Sequence, residues 1–285
     1  MSLYQIISDS GCDLPQGMLT DMNVHTQPLL VNFRGQTLSD SVDAGIQEIY
    51  AGLRSGEAAT TSAVNPDGWR NAIEPSLQAG LDALVITFSS GLSTTYQSAV
   101  IAANELQESY PDRKIRVVDS LAASLGQGLL LHYTCQKRNE GLSLDALADW
   151  VEETKKQLCM WFTVDDLMYL KRGGRVSAAT ALLGTMLQIK PVLHVDEEGH
   201  LISMAKCRGR KASIQALADK VKNAGMPNDL VYICHGDCLE DAQYLEDLLK
   251  KNCGVKEVFI GYTGAVIGSH SGPGTLAVFY MGNNK

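Results

Sequence analysis

The chain has 285 residues, of which 45% are hydrophobic and 20% are charged, and its formal net charge is −8. This length predicts about two domains, and the composition is that of a globular protein with a sizeable core. The excess of acidic residues disfavours nucleic acid or an anionic membrane as the partner, and no apolar run is long enough to span a bilayer. The N-terminal sequence does not resemble a signal peptide, and the seven cysteines are irregularly spaced. These two features indicate a reduced, cytoplasmic protein.

The first half of the chain predicts strands that alternate with helices. Residues 4–7 form a short apolar run, after which Asp13 is expected to cap a helix with Pro15 in its first turn. Two further apolar runs predict buried strands followed by helices: 83–88 before a helix over 96–109, and 115–118 before a helix that ends near Arg138. A last helix is predicted over 142–158. Such alternation indicates a mostly parallel sheet.

The pattern changes after about residue 160. An apolar stretch at 178–189 precedes a predicted hairpin formed by strands 192–195 and 200–206. A strand is predicted at 230–234 between two helices, and the last two strands are predicted at 255–260 and 275–280. We therefore predict a two-domain α/β protein whose domains are closely apposed. The N-terminal mostly parallel α/β sheet domain is expected at residues 1–160 and the C-terminal α+β domain at 161–285.

Hydroxyl and carboxyl side chains collect where the predicted strands end. They form four clusters, at 8–10 (Ser-Asp-Ser), 60–62 (Thr-Thr-Ser), 89–93 (Ser-Ser-Gly-Leu-Ser) and 119–120 (Asp-Ser). Each cluster could simply cap a helix or turn. Because ligands bind at the carboxyl ends of strands in open α/β sheets, the recurrence of these clusters favours a neutral cradle for a carboxylate or a phosphate.

The second half adds a cation and a histidine to these candidates. Arg175 follows the glycine pair 173–174, and an Arg fork binds carboxylates well. His270 lies in the middle of the glycine-dense segment 264–274, which is predicted as a loop that a ligand could approach closely.

Several chemistries find no support in the sequence. There is no nucleotide-binding P-loop, the Gly126-Gln-Gly128 segment lacks the third glycine of a dinucleotide site, and the cysteines at 234 and 238 have no second ligand pair for zinc. We therefore expect no metal and no cofactor. A serine esterase that uses Ser93 and His270 stays open, although Thr95 stands where a nucleophile elbow has its second glycine. A binding module for another anionic ligand also stays open.

The segment 171–211 is locally cationic. It holds eight basic and three acidic residues, the basic ones being Lys171, Arg172, Arg175, Lys190, Lys206, Arg208, Arg210 and Lys211. A solvated surface and a docking surface for a phosphate-carrying partner both explain this composition.

Seven motifs in a fixed order resemble those of the DegV family. They are SDSGCDL at 8–14, TTS at 60–62, SSGLSTTYQSA at 89–99, DS at 119–120, LKRGGRVS at 170–177, IKP at 189–191 and GSHSGPG at 268–274. The resemblance implies two α/β domains that hold a long-chain fatty acid in a buried tunnel. It also implies a bacterial binding protein and not an enzyme, namely the fatty-acid-binding subunit of a fatty acid kinase. In such a complex, an ATP-binding partner subunit phosphorylates the bound carboxylate to an acyl phosphate, which is used for phospholipid synthesis.

The resemblance also assigns roles to particular residues. It places Thr61, Ser93 and His270 on the fatty acid carboxylate, and Ser10, Ser62 and Arg175 near the head group. Arg208 or Arg210 is expected to dock the kinase partner. No residue is expected to be catalytic. Thr94 departs from the family pattern, which usually has glycine at this position.

Overall fold

The computed structural model describes residues 4–43, 45–176 and 189–283, and within them the chain forms three β-sheets with helices packed around them. The strands are β1 Tyr4–Asp9, β2 Val24–Gln27, β3 Leu30–Phe33, β4 Gln36–Ser39, β5 Ala59–Ser62, β6 Asp82–Thr87, β7 Ile115–Asp119, β8 Leu158–Thr163, β9 Ile189–Val195, β10 Leu201–Arg208, β11 Leu230–His235, β12 Glu257–Tyr262 and β13 Leu276–Met281. Of the apolar stretch predicted at 178–189, only Ile189 is among these residues.

The helices surround and separate these sheets. They are α1 Gln16–Asp21, α2 Ile46–Arg54, α3 Pro66–Gln78, α4 Thr95–Ser109, α5 Leu125–Asn139, α6 Leu144–Thr154, α7 Leu167–Gly173, α8 Arg210–Lys222, α9 Leu239–Asn252 and α10 Ala265–Ser271.

Sheet order confirms the predicted α/β class. The first sheet has the order β2-β1-β6-β7 and is entirely parallel. A small antiparallel sheet, β4-β3-β5, follows β2 in the chain, and its strands were not predicted. The large C-terminal sheet has the order β10-β9-β8-β13-β11-β12, in which only β11 and β12 pair in parallel. Since β8 begins at Leu158, it straddles the predicted domain boundary at 160.

One continuous core joins the parallel sheet to the large C-terminal sheet. Helix α5 lies between them: Leu125 and Leu129 belong to the same buried cluster as Ile86 of β6 and Phe279 of β13. The 89–93 segment also touches the turn of the β9–β10 hairpin, where Ser89 Oγ donates to the Gly199 carbonyl at 2.9 Å. The two halves are therefore closely apposed.

Two local predictions were wrong. Asp13 does not cap α1: its backbone is left-handed (φ 53°), and its carboxylate accepts a hydrogen bond from Ser124 instead. The glycine-dense segment at 264–274 is not a loop throughout, because α10 occupies residues 265–271. Asp40, which is distant in sequence, accepts a hydrogen bond from the Val266 amide and stabilises the first turn of this short helix.

Candidate functional site

A cavity of about 480 Å³ lies between the parallel sheet and the large C-terminal sheet. Its walls come from both halves of the chain: strand-end loops, β5 and α10 contribute polar groups, and α7, through Leu170, and the C-terminal sheet contribute apolar ones. The residues that line it include Leu29, Thr61, Ser62, Phe88, Ser90, Leu92, Ser93, Thr94, Gln97, Ser124, Met160, Phe162, Leu170, Arg175, Val195, Leu201, Cys234, Val266, Ile267, His270, Ala277 and Phe279. The cavity is thus amphipathic.

A hydrogen bond between Thr61 and His270 forms part of the polar wall. Thr61 Oγ1 lies 2.6 Å from His270 Nε2, and it joins the edge strand β5 to helix α10. Burial and the nearby Arg175 charge lower the pKa of His270 to about 4. At neutral pH the imidazole is therefore uncharged, so it can donate one hydrogen bond and accept another.

A second hydroxyl pair holds Ser93. Ser93 Oγ lies 2.8 Å from Thr95 Oγ1 and also accepts the Thr95 amide at 3.2 Å. Thr95 is itself fixed, because its carbonyl accepts the indole N–H of the buried Trp69 at 3.0 Å. Ser93 therefore sits at a defined position where α4 begins. The hydrogen bond between nucleophile and base that a serine esterase uses is not formed, since Ser93 pairs with Thr95 and His270 with Thr61.

Arg175 brings a positive charge to the edge of the cavity. Its guanidinium is exposed and donates to the carbonyls of Leu92, at 3.3 Å, and Gly173, at 2.5 Å. Gly173 leaves room for the histidine, because a Cβ at this position would collide with His270 Nδ1. The glycine pair at 173–174 therefore brings Arg175 and His270 together.

Another part of the cavity wall is apolar. Met160 and Phe162 of β8 and Phe279 of β13 face α5 across the core. A Cβ on Gly126 of α5 would lie 2.7 Å from Met160 Sδ and 2.9 Å from Phe279 Cδ1. The lack of a side chain at Gly126 allows α5 to approach the sheet closely and so shapes this part of the wall.

Other predicted residues lie in different places. Ser62 is exposed at the cavity. Ser10 is not among the lining residues; its hydroxyl donates to Asp40 Oδ2 at 2.8 Å and accepts the Leu29 amide at 3.0 Å. The strand-end carboxylates fix the backbone of the loop after β6: Asp9 accepts the Phe88 amide at 2.7 Å, and Asp119 accepts the Ser90 amide at 3.2 Å.

The two predicted docking arginines differ in their surroundings. Arg208 is exposed at the end of β10. Arg210 is only 18% exposed: its Nε lies 2.8 Å from Asp241 Oδ2, and its Nη1 lies 3.7 Å from Asp165 Oδ1. Arg210 therefore has a clear structural role between α8 and α9.

Sequence reasoning missed most of the apolar wall and several polar lining residues, among them Ser124 and Gln97. The alternation of β8 and β13 could have indicated which side chains share a face, but it does not tell which face borders a cavity. Within 4–43, 45–176 and 189–283, no group of His, Cys, Asp or Glu side chains is suited to hold a metal ion. No helix in these ranges is both long and apolar enough to cross a membrane.

Comparisons with known proteins agree with this architecture. The family model described as "Uncharacterised protein, DegV family" matches residues 4–283. A DegV domain-containing protein of Clostridium perfringens is 43% identical over 289 residues, which cover 100% of this chain and 99% of that protein.

Two solved structures show the same fold. One, described as fatty acid binding of a DegV family protein from Thermus thermophilus, has a TM-score of 0.88 and 32% identity, covering 98% of this chain and 99% of that one. The other, described as DegV, a fatty acid binding protein from Bacillus subtilis, has a TM-score of 0.83 and 30% identity over the same shares of the two chains. The chain therefore belongs to the DegV family.

Proposed function

We propose that the chain binds a long-chain fatty acid, with the acyl tail in the apolar end of the cavity and the carboxylate at Thr61, Ser93 and His270. The observation that carries this proposal is a single cavity whose polar wall, with the 2.6 Å contact between Thr61 and His270, continues into an apolar wall around Phe279. Two relatives of known structure, from Thermus thermophilus and Bacillus subtilis, are described as binding fatty acids.

The two ends of the cavity match the two parts of such a ligand. Each methylene group removed from water contributes about 0.8 kcal/mol, which favours a long chain. A carboxylate that leaves water needs hydrogen-bond donors in compensation. The hydroxyl groups of Thr61 and Ser93, the uncharged imidazole of His270 and the nearby Arg175 guanidinium supply them without a buried ion pair.

We further propose that the bound carboxylate is phosphorylated by a separate kinase subunit. In this reaction a carboxylate oxygen forms a bond to the γ-phosphorus of ATP while the bond from that phosphorus to the β,γ-bridging oxygen breaks, and ADP leaves. The transfer needs magnesium and groups that position the nucleotide. The sequence has no P-loop, so the kinase would supply these parts, and the cationic segment at 171–211 is the proposed surface on which it docks.

Lipid analysis of the purified protein tests the binding proposal. Protein produced in a bacterial host is denatured, and the released lipid is identified by mass spectrometry. We expect about one molecule of fatty acid per protein molecule in the wild type. In a double variant, Thr61→Ala with Ser93→Ala, the amount of bound fatty acid should fall by about tenfold or more. A matched double variant, Thr60→Ala with Ser109→Ala, removes two exposed hydroxyls outside the cavity and should retain the lipid.

Two outcomes would contradict the proposal. Equal lipid in both double variants would remove Thr61 and Ser93 from the head-group site. A phosphorylated metabolite in place of fatty acid would identify the chain as a module for another anionic ligand.

A further inference from the structure

Two buried carboxyl groups converge at the start of the helix that carries His270. Asp13 is 1% exposed and Asp40 is 6% exposed. A Cβ on Gly264 would collide with Asp13 Oδ1 and lie 3.5 Å from Asp40 Oδ1, so both carboxyls point at the same backbone position. Gly264 directly precedes α10, the helix that carries His270.

Both carboxyls are connected to residues of the cavity wall. Asp40 Oδ1 accepts the Val266 amide at 3.0 Å, and Val266 lines the cavity in the first turn of α10. Asp13 Oδ2 accepts the hydroxyl of Ser124 at 2.5 Å, and Ser124 lines the cavity where α5 begins. Ser124 has φ 56° and ψ −148°, a conformation that costs free energy in a residue other than glycine. Its hydrogen bond to Asp13 helps to hold that conformation.

Within the described part of the chain, this pair has no compensating positive charge. Among the residues that the structure describes, no Lys, Arg or His forms an ion pair with Asp13 or Asp40. The titratable groups that face the pair are acidic or neutral: Asp9 from the end of β1, Cys12 from the turn after it, Tyr50 from α2, and Cys234 from β11. The donors that face the Asp13 carboxyl are neutral: the Ser124 hydroxyl and the Gly264 amide. Two unpaired negative charges in this place would be very costly, whereas one shared proton removes most of that cost.

We propose that the Asp13–Asp40 pair retains one proton at neutral pH and positions α10, so that His270 and the cavity wall keep their binding geometry only while this proton is held. The proposal rests on the proposed function for its ligand. Asp13 and Asp40 are positioning residues: they act on the fatty acid through α10 and α5 and do not line the cavity themselves.

The expected titration supports this arrangement. Burial raises the pKa of Asp40 to about 6, and burial together with the neighbouring Asp40 charge raises the pKa of Asp13 well above its usual range. Raising the pH through these values removes the last proton and places two like charges beside Gly264. Repulsion between them then loosens the first turn of α10.

The test compares the pH dependence of binding in variants, with cis-parinaric acid, a fluorescent long-chain fatty acid, as the probe. For the wild type we expect Kd to rise by about tenfold as the pH increases above neutral. Asp13→Asn keeps the shape of the neutral acid but cannot ionise, so it should bind as tightly as wild type at neutral pH and lose the alkaline weakening. Asp112→Asn, an exposed control, should keep the wild-type profile.

Carbon-13 NMR of the aspartate carboxyl groups tests the proton itself, without any ligand. One carboxyl signal should still titrate above neutral pH and disappear in Asp13→Asn. Full ionisation of both Asp13 and Asp40 at neutral pH, or identical pH profiles for wild type and Asp13→Asn, would overturn the proposal. A failure of cis-parinaric acid to bind at any pH would instead count against the proposed function, and the NMR result would still decide on the proton.

Discussion

At the scale of single residues, the proposed head-group site depends on hydrogen-bond donors that carry no charge. His270 and Thr61 form one pair, and Ser93 and Thr95 form another. Among the cavity residues that the structure describes, Arg175 alone carries a positive charge. Uncharged donors stabilise a carboxylate while leaving its oxygen free to react. A tight, fully desolvated ion pair would instead lower the reactivity of that oxygen toward a phosphoryl group.

The protonation state of His270 is the first prediction at this scale. Burial and the Arg175 charge lower its pKa to about 4, against about 6.5 for an ordinary histidine. In nitrogen-15 NMR of the ligand-free chain, the ring nitrogens of His270 should therefore stay in the neutral form from pH 5 to pH 8. Because the unfolded chain takes up this proton near pH 6.5, His270 should also reduce stability as the pH falls from there through about 4. A midpoint near 6.5 in the folded chain would contradict this assignment.

The sequence predicted where the polar groups collect better than it predicted what each one does. Ser8, Asp9 and Asp119 stand at strand ends, as expected for a ligand site. The structure instead pairs them with the main chain: Ser8 Oγ donates to the Ile86 carbonyl at 2.7 Å, and both aspartates accept amides from the loop after β6. Composition cannot distinguish a side chain that holds a loop from one that faces its ligand, because both use the same donors and acceptors.

At the scale of secondary-structure elements, the contact between α7 and α10 sets the position of His270. Gly173, the last residue of α7, leaves the space that the imidazole fills. Gly173→Ala should therefore displace His270 from Thr61 and weaken cis-parinaric acid binding by about tenfold, equivalent to about 1.4 kcal/mol. Gly17→Ala in α1 is the matched control, since nothing lies near the added methyl group, and it should bind normally. Equal affinities for the two variants would contradict this role of Gly173.

The packing of α8 against α9 supplies a stability prediction. Arg210 is mostly buried and pairs with Asp241 of α9. Arg210→Ala would leave that carboxylate without its partner, so we expect the free energy of unfolding to fall by about 1–3 kcal/mol in urea denaturation. Arg208→Ala, at an exposed neighbouring position, should change it by less than about 0.5 kcal/mol. Similar losses in both variants would mean that the Arg210 pair contributes no specific stability.

Elements that depend on distant contacts escaped prediction. Strands β3 to β5 are short and carry polar residues such as those at 60–62, so their pattern does not differ from that of a loop. Helix α10 contains glycine, serine and histidine, which favour helix weakly, and its first turn is held by Asp40 from a distant part of the chain. Long apolar strands such as β6 were predicted because burial on both faces leaves a continuous run in the sequence.

At the scale of the whole molecule, the cavity exists because two sheets share one core. Helix α5 packs on both, and glycine at position 126 brings it close to β8 and β13. No local segment contains this arrangement, so the sequence could indicate a polar site but could not place the apolar wall. Only the pairing of the strands determines which side chains of β8 and β13 face the cavity.

The proposed kinase surface gives a prediction at the same scale. Arg208 is exposed within the cationic segment, so Arg208→Glu should reverse the charge there without disturbing the cavity. The assay contains ATP, magnesium and the fatty acid kinase subunit of the same organism, and hydroxylamine traps the acyl phosphate that forms. With Arg208→Glu, acyl phosphate should form about tenfold more slowly than with wild type, while the lipid content of the protein is unchanged. Lys251→Glu, at an exposed position of α9, makes the same change in net charge and should have no effect. Equal rates for both variants would place the docking surface elsewhere.

A crystal structure of the chain with oleic acid tests the central claim most directly. Electron density for the ligand should place its carboxylate within hydrogen-bond distance of Thr61 and His270, and its acyl tail should run between α5 and the C-terminal sheet toward Met160 and Phe279. Ligand density outside this cavity, or a carboxylate at the Phe279 end, would contradict the account.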